Sequence, residues 1–125
     1  MKTLAGHSGG ACLAVFCADG FSVVTASYDR TAKIWNPATG ECMKTFAGHS
    51  GDVRSATFSA DGSSVVTASW DRTAKIWNSA TGECMKTLAG HSDAVLSAVF
   101  SADGASVVTA SNDRTARIWN SATGK

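Results

Sequence analysis

Short runs of alternating polar and apolar residues, broken by turn residues, fill the chain. Near its middle, Val53-Arg54-Ser55-Ala56-Thr57-Phe58 alternates and gives way to Ala60-Asp61-Gly62. That Asp-Gly pair predicts a tight hairpin, because both residues accept positive φ. Ser64-Val65-Val66-Thr67-Ala68-Ser69 is β-branched and mostly apolar on both faces, the pattern of a strand buried between sheets. A turn at Trp70-Asp71-Arg72 leads into a third strand, Thr73-Ala74-Lys75-Ile76-Trp77-Asn78. A Gly-containing turn at 79–82 then leads into a fourth, Glu83-Cys84-Met85-Lys86-Thr87-Leu88. The prediction is a four-stranded antiparallel meander without helix. So small a sheet cannot cover both of its faces, and it needs neighbours stacked against it.

The neighbours are copies of the same unit. Gly-His pairs end at His7, His49 and His91, and Ile-Trp-Asn triplets end at Asn36, Asn78 and Asn120, so the period is 42 residues. Three copies fill the 125 residues. Composition agrees with this all-β reading: 12 Gly against one Pro supply turns, and 44% hydrophobic with 17% charged residues suits a soluble globular chain. A balance of 11 basic against 10 acidic residues gives a net charge of +1, too small a field to gather nucleic acid or an anionic membrane surface. No apolar run approaches the roughly 20 residues that span a bilayer, and no signal-peptide core follows Met1, so the expected compartment is the cytosol.

The Gly-His pair, the Ser69-Trp70-Asp71 turn and the strand-ending Ile76-Trp77 resemble the WD-repeat β-propellers in type, order and spacing across essentially the whole chain. Two features depart from that pattern. Asn36, Asn78 and Asn120 stand where the naming Trp-Asp dipeptide has Asp, and Ala-Asp-Gly replaces Ser-Pro-Asp-Gly. The resemblance implies an all-β array over residues 1–125, with blades at 4–45, 46–87 and 88–125. It also implies a hydrogen-bonded tetrad in every blade: His7, Thr25, Asp29 and Trp35; His49, Thr67, Asp71 and Trp77; His91, Thr109, Asp113 and Trp119. Ser27, Ser69 and Ser111 lie two residues beyond each Thr on the same strand face, so either hydroxyl could serve.

Hydroxyl, imidazole and carboxylate together also describe a nucleophilic triad. A set repeated in every blade and expected inside it lacks an oxyanion hole and a substrate cavity, so the expectation is a structural pin and no enzyme. The four cysteines predict neither metal nor cofactor. Cys42 and Cys84 sit at one repeat position on outer strands that diverge too far for a disulfide, while Cys12 and Cys17 point to opposite faces of one strand. Reduced thiols are expected.

Closed propellers typically contain about 4–8 blades, so three are too few to close alone. Lys2-Thr3-Leu4 matches the end of the outer strand, Lys44-Thr45-Phe46 and Lys86-Thr87-Leu88, and the third copy reaches only Thr123-Gly124-Lys125. The expectation is that residues 1–4 of one subunit complete the third blade of a neighbour, in a nine-bladed homotrimer or, alternatively, a six-bladed homodimer. The copies differ mainly after Gly-His, where Cys12, Arg54 and Leu96 correspond, and before the tetrad Asp, where Tyr28, Trp70 and Asn112 correspond. The resemblance puts both places on one rim, the family's usual docking surface for peptides and proteins. Tyr28 and Trp70 are then aromatic anchors with Asn112 at the third copy and Arg54 as polar contact; the alternative is drift or channel packing. The arginines Arg30, Arg72 and Arg114 read as solvated turn residues. The function implied is a non-catalytic scaffold, and the rival is a purely structural ring former: a fragment, or a designed or recently amplified array.

Overall fold

A computed structural model describes residues 2–125; Met1, the first residue of the proposed inter-subunit strand, lies outside the described residues. The strands are β1 (Ala11–Phe16), β2 (Val23–Ser27), β3 (Thr31–Trp35), β4 (Cys42–Ala47), β5 (Val53–Phe58), β6 (Ser64–Ser69), β7 (Thr73–Asn78), β8 (Cys84–Ala89), β9 (Val95–Phe100), β10 (Ser106–Ser111) and β11 (Ala116–Asn120). They form three antiparallel sheets in chain order, β1-β2-β3-β4, β5-β6-β7-β8 and the three-stranded β9-β10-β11. No helix is long and apolar enough to cross a membrane among the described residues.

The second strand of each sheet is the most deeply buried, as its β-branched sequence predicts. Val65 and Val66 on β6 are both fully buried, because one faces each neighbouring sheet. One core joins the first two sheets: Val24, Ala26, Ala32, Ile34 and Phe46 pack against Val53, Ala56, Val65 and Trp77. A second core joins sheets two and three through the corresponding residues one period later, with Ile76 and Leu88 against Val95, Ala98 and Trp119. The sheets therefore mate head to tail, each laying one face on the opposite face of the next.

The Asp-Gly hairpin takes a different form from the one its sequence suggests. Five residues, 59–63, connect β5 to β6, and in the Asp61-Gly62 pair only the glycine has positive φ (76°). Asp61 instead turns its carboxylate onto the loop, accepting from the Ser59 hydroxyl at 2.7 Å and the Ser63 amide at 3.0 Å. An Asx turn has replaced the two-residue primed turn.

Residues 2–4 lie outside any strand. They pass the turn after β3, as β4 and β8 pass the corresponding turns of the next two sheets. The Thr3 carbonyl oxygen lies 3.3 Å from where a β carbon on Gly40 would stand, and the Lys44 and Lys86 side chains lie likewise 3.8 and 3.6 Å from Gly82 and Gly124.

Candidate functional site

Each sheet carries one buried polar relay, built from a loop residue, two strand residues and a turn residue. In the second sheet, Trp77 of β7 donates its indole N–H to Thr67 Oγ1 of β6 at 2.9 Å. His49 Nε2 lies 2.6 Å from the same oxygen, and His49 Nδ1 lies 2.8 Å from Asp71 Oδ2. An indole only donates and a carboxylate only accepts, so with a neutral ring the Thr67 hydroxyl donates to Nε2 and Nδ1–H donates to Asp71. The imidazole is neutral in this arrangement. Burial pushes the His49 pKa down, against the opposing pull of Asp71, which favours the same state.

The relay recurs one period either side. His7 meets Asp29 at 2.8 Å and Thr25 at 2.6 Å, while His91 meets Asp113 at 2.7 Å and Thr109 at 2.7 Å. Trp35 and Trp119 donate to Thr25 and Thr109 at 2.8 and 2.9 Å. The structure also settles which hydroxyl is used. Ser27 and Ser69 turn away, donating to the carbonyls of Gly9, Gly10 and Gly51 and accepting from the amides of Asp29 and Asp71.

The carboxylate holds more partners than the sequence reading names. Asp71 accepts the Thr73 hydroxyl at 2.6 Å, the Thr73 amide at 2.9 Å and the Ser50 amide at 3.1 Å, besides His49. Burial raises the pKa of Asp71, but these donors outweigh it and the net shift is downward. For Asp29 the same contest, won by Thr31, His7 and the amides of Thr31 and Ser8, leaves the carboxyl at about 2. At Asp113 the Thr115 hydroxyl leads a downward shift. The Asp-x-Thr spacing of an Asx turn was the available signal for these threonines. A second feature escaped the reading: Arg30, Arg72 and Arg114 hold left-handed φ of 74°, 77° and 73°, where glycine is the usual occupant.

Chemically the relay has no outlet. Thr67 and His49 are 0% and 6% exposed, and the hydroxyl oxygen that would attack a substrate already accepts the indole N–H. Closeness of the loop to the indole is built in as well. A β carbon on Gly48 would stand 3.2 Å from Trp77 Cη2, so glycine before the His lets the loop lie on the ring.

The rim residues divide. Arg54 brings Tyr28 and Trp70 together, its Cζ lying 5.6 Å from the tyrosine ring centre and 5.0 Å from that of the tryptophan. Both rings remain exposed, at 45% and 49%. Asn112 is exposed one repeat further on, its amide bonded to the Ala94 carbonyl. Cys12, at the first-copy position of Arg54, turns its thiol to the Val53 carbonyl at 3.0 Å, and burial raises its pKa. All four cysteines are free.

No curated protein matches the chain. A family model does: WD domain, G-beta repeat, matches residues 1–36, 40–78 and 82–120. WD-repeat proteins are propeller-type interaction scaffolds, generally without catalysis. With three matches that together span nearly all 125 residues, the second and third each joining the outer strand of one sheet to the first three strands of the next, the chain belongs to the WD-repeat family.

Proposed function

We propose that this chain is a non-catalytic scaffold that joins head to tail with copies of itself into a closed propeller, and that the rim bearing Tyr28, Arg54 and Trp70 docks a peptide or protein. The observation that carries the assembly is the pair of bare apolar faces at the two ends of the stack. Phe16, Phe21 and Ile118 are exposed at 67%, 78% and 76%. Ile118 is the third copy of Ile34 and Ile76, which are 3% and 2% exposed because the next sheet covers them. Val108, Ala110 and Ala116 are exposed beside it, whereas their copies Val66, Ala68 and Ala74 are fully buried.

The opposite end has the complementary shape. A groove of about 430 Å³ lies between the N-terminal segment and β1, lined by Leu4, Ala14, Phe16, Val23 and Pro37. Its counterpart one period later is bordered by Phe46, Ala56, Phe58 and Val65, and there Val24, Ala26 and Ile34 of the preceding sheet fill it. The same residue types two periods beyond Val24, Ala26 and Ile34 are Val108, Ala110 and Ile118. A second copy thus carries the side chains that the groove already accepts inside the molecule. Burying Ile118 to the level of Ile34 contributes about 1.5–3 kcal/mol. The hydrogen bonds of residues 2–4 along β11 contribute about 1 kcal/mol each.

In this reading Lys2, Thr3 and Leu4 form the outer strand of a neighbour's third sheet, and the four-residue relays pin each loop to its blade. A homotrimer of nine blades needs about 40° per blade and a homodimer of six needs about 60°; widening the ring opens a channel that water fills, whereas narrowing it forces inner strands together, which favours the trimer. The identity of Val23–Ser27, 65–69 and 107–111 favours a second reading, an array whose only activity is to assemble. Light scattering tests assembly. A particle of three chains of 12.8 kDa is expected, two chains would mark the six-bladed ring, and a stable monomer overturns both.

A further inference from the structure

The relay carboxylates of this rim are turned away from solvent. Asp29 and Asp71 face inward, their side chains only 7% and 8% exposed and bonded to His7 and His49. The arginines that follow them, Arg30 and Arg72, are exposed on left-handed turns. Between the two turns stands Arg54 with the Tyr28 and Trp70 rings near its guanidinium. Among the described residues the ion pairs are the three His–Asp contacts, and the Arg54 guanidinium makes no hydrogen bond. Asp52, two residues before it, does not pair with it. One period after Arg54 comes Leu96, 37% exposed, which stands to Trp70 as Arg54 stands to Tyr28. The row across the rim is therefore aromatic, cationic, aromatic, aliphatic.

An arginine beside aromatic rings is held in place and partly stripped of water, yet keeps its N–H edge for a planar acceptor. Two exposed rings could also accept a cation from a partner, but here the molecule's own guanidinium holds that position, and Arg30 and Arg72 add like charge. We infer that the partner of this rim is an acidic peptide segment, with a carboxylate on the edge of Arg54 and an apolar side chain against Trp70 and Leu96. This rests on the reading of the rim as the docking surface. In a ring the site recurs once per subunit, so a partner with several such segments gains avidity without further contacts.

The test is selection of a random dodecapeptide display library on the assembled protein, followed by fluorescence anisotropy with a labelled selected peptide and its Glu-to-Gln version. The expected result is enrichment of Asp and Glu, with the Gln version binding about tenfold or more weakly at low salt and the difference shrinking in 0.5 M salt. Arg54→Gln should abolish that difference, Arg54→Lys should keep part of it, and Trp70→Ala should weaken both peptides alike, with the solution mass unchanged throughout. Selected peptides that are neutral or basic yet depend on Trp70 overturn the acidic partner and leave the docking rim standing. No enrichment, or binding indifferent to both Arg54→Gln and Trp70→Ala, overturns the rim as well.

Discussion

At the scale of single residues, Asp71 is where the most interactions converge. It accepts from His49, Ser50 and twice from Thr73, and Asp71→Ala would leave the buried His49 N–H and the half-buried Thr73 donors facing no acceptor. Each such group costs about 1–3 kcal/mol, so the variant should lose about 3 kcal/mol, visible as a lower midpoint in urea or heat. A melt as stable as the parent would remove the relay from the list of what holds the blade. Acid should act in two stages. The folded pKa of His49 is depressed, so the unfolded chain takes up a proton first, near its ordinary 6.5, and stability should begin to fall below about pH 6.5. The folded pKa of Asp29 is about 2 against an ordinary 3.9, so its contribution, present above pH 4, should be lost between about pH 4 and 2. Melts from pH 8 to 2 check both; stability flat from pH 7 to 5 would exclude the first stage. The repeated residues made the His, Asp and Trp of each relay legible. Which of two neighbouring hydroxyls serves was not, because Thr67 and Ser69 share a strand face and only the packed indole selects between them.

At the scale of elements, β3, β7 and β11 have nearly one sequence and very different surroundings. Ile34 and Ile76 are walled in, while Ile118 is 76% exposed. Strand formation follows local pattern, but burial follows what lies across the sheet, which no window of sequence around Ile118 contains. Ile76→Asp should therefore disrupt the fold, since it places a charge in a closed core. Ile118→Asp should leave each chain folded by circular dichroism while reducing the solution mass to that of one chain. An Ile118→Asp chain that still assembled would remove this face from the interface. The turns show the same division. Asp61-Gly62 marked a reversal correctly, yet the loop takes five residues, because the Asp61 carboxylate binds its own loop. The left-handed Arg72 was invisible, since arginine carries no preference for that conformation and the Asp71 network imposes it.

At the scale of the whole molecule, the two end faces carry the residue types of the two internal joints, so the proposed association would be a third instance of packing the chain already performs twice. Under that proposal the covalent link is all that differs. Removing residues 1–5 takes away Leu4, which lines the groove, together with the strand proposed for the neighbour's third sheet. The truncated chain should then run as a monomer and melt lower. Its persistence as the same particle would mean that face packing alone closes the ring. His7 remains in that variant, so its relay with Asp29 and Thr25 is left in place and the outcome reads the strand rather than the pin.

What the amino-acid order determined by itself is a period of 42 residues, the strands, the His, Asp and Trp of each relay, and the family. These are local patterns, and repetition multiplies a weak signal until it is unambiguous. Only the tertiary structure decided which hydroxyl joins the relay, that Arg54 gathers Tyr28 and Trp70, and that Ile118 lies bare where Ile34 and Ile76 are buried. Each of these depends on distances between residues far apart in the chain, set by how one sheet seats on the next.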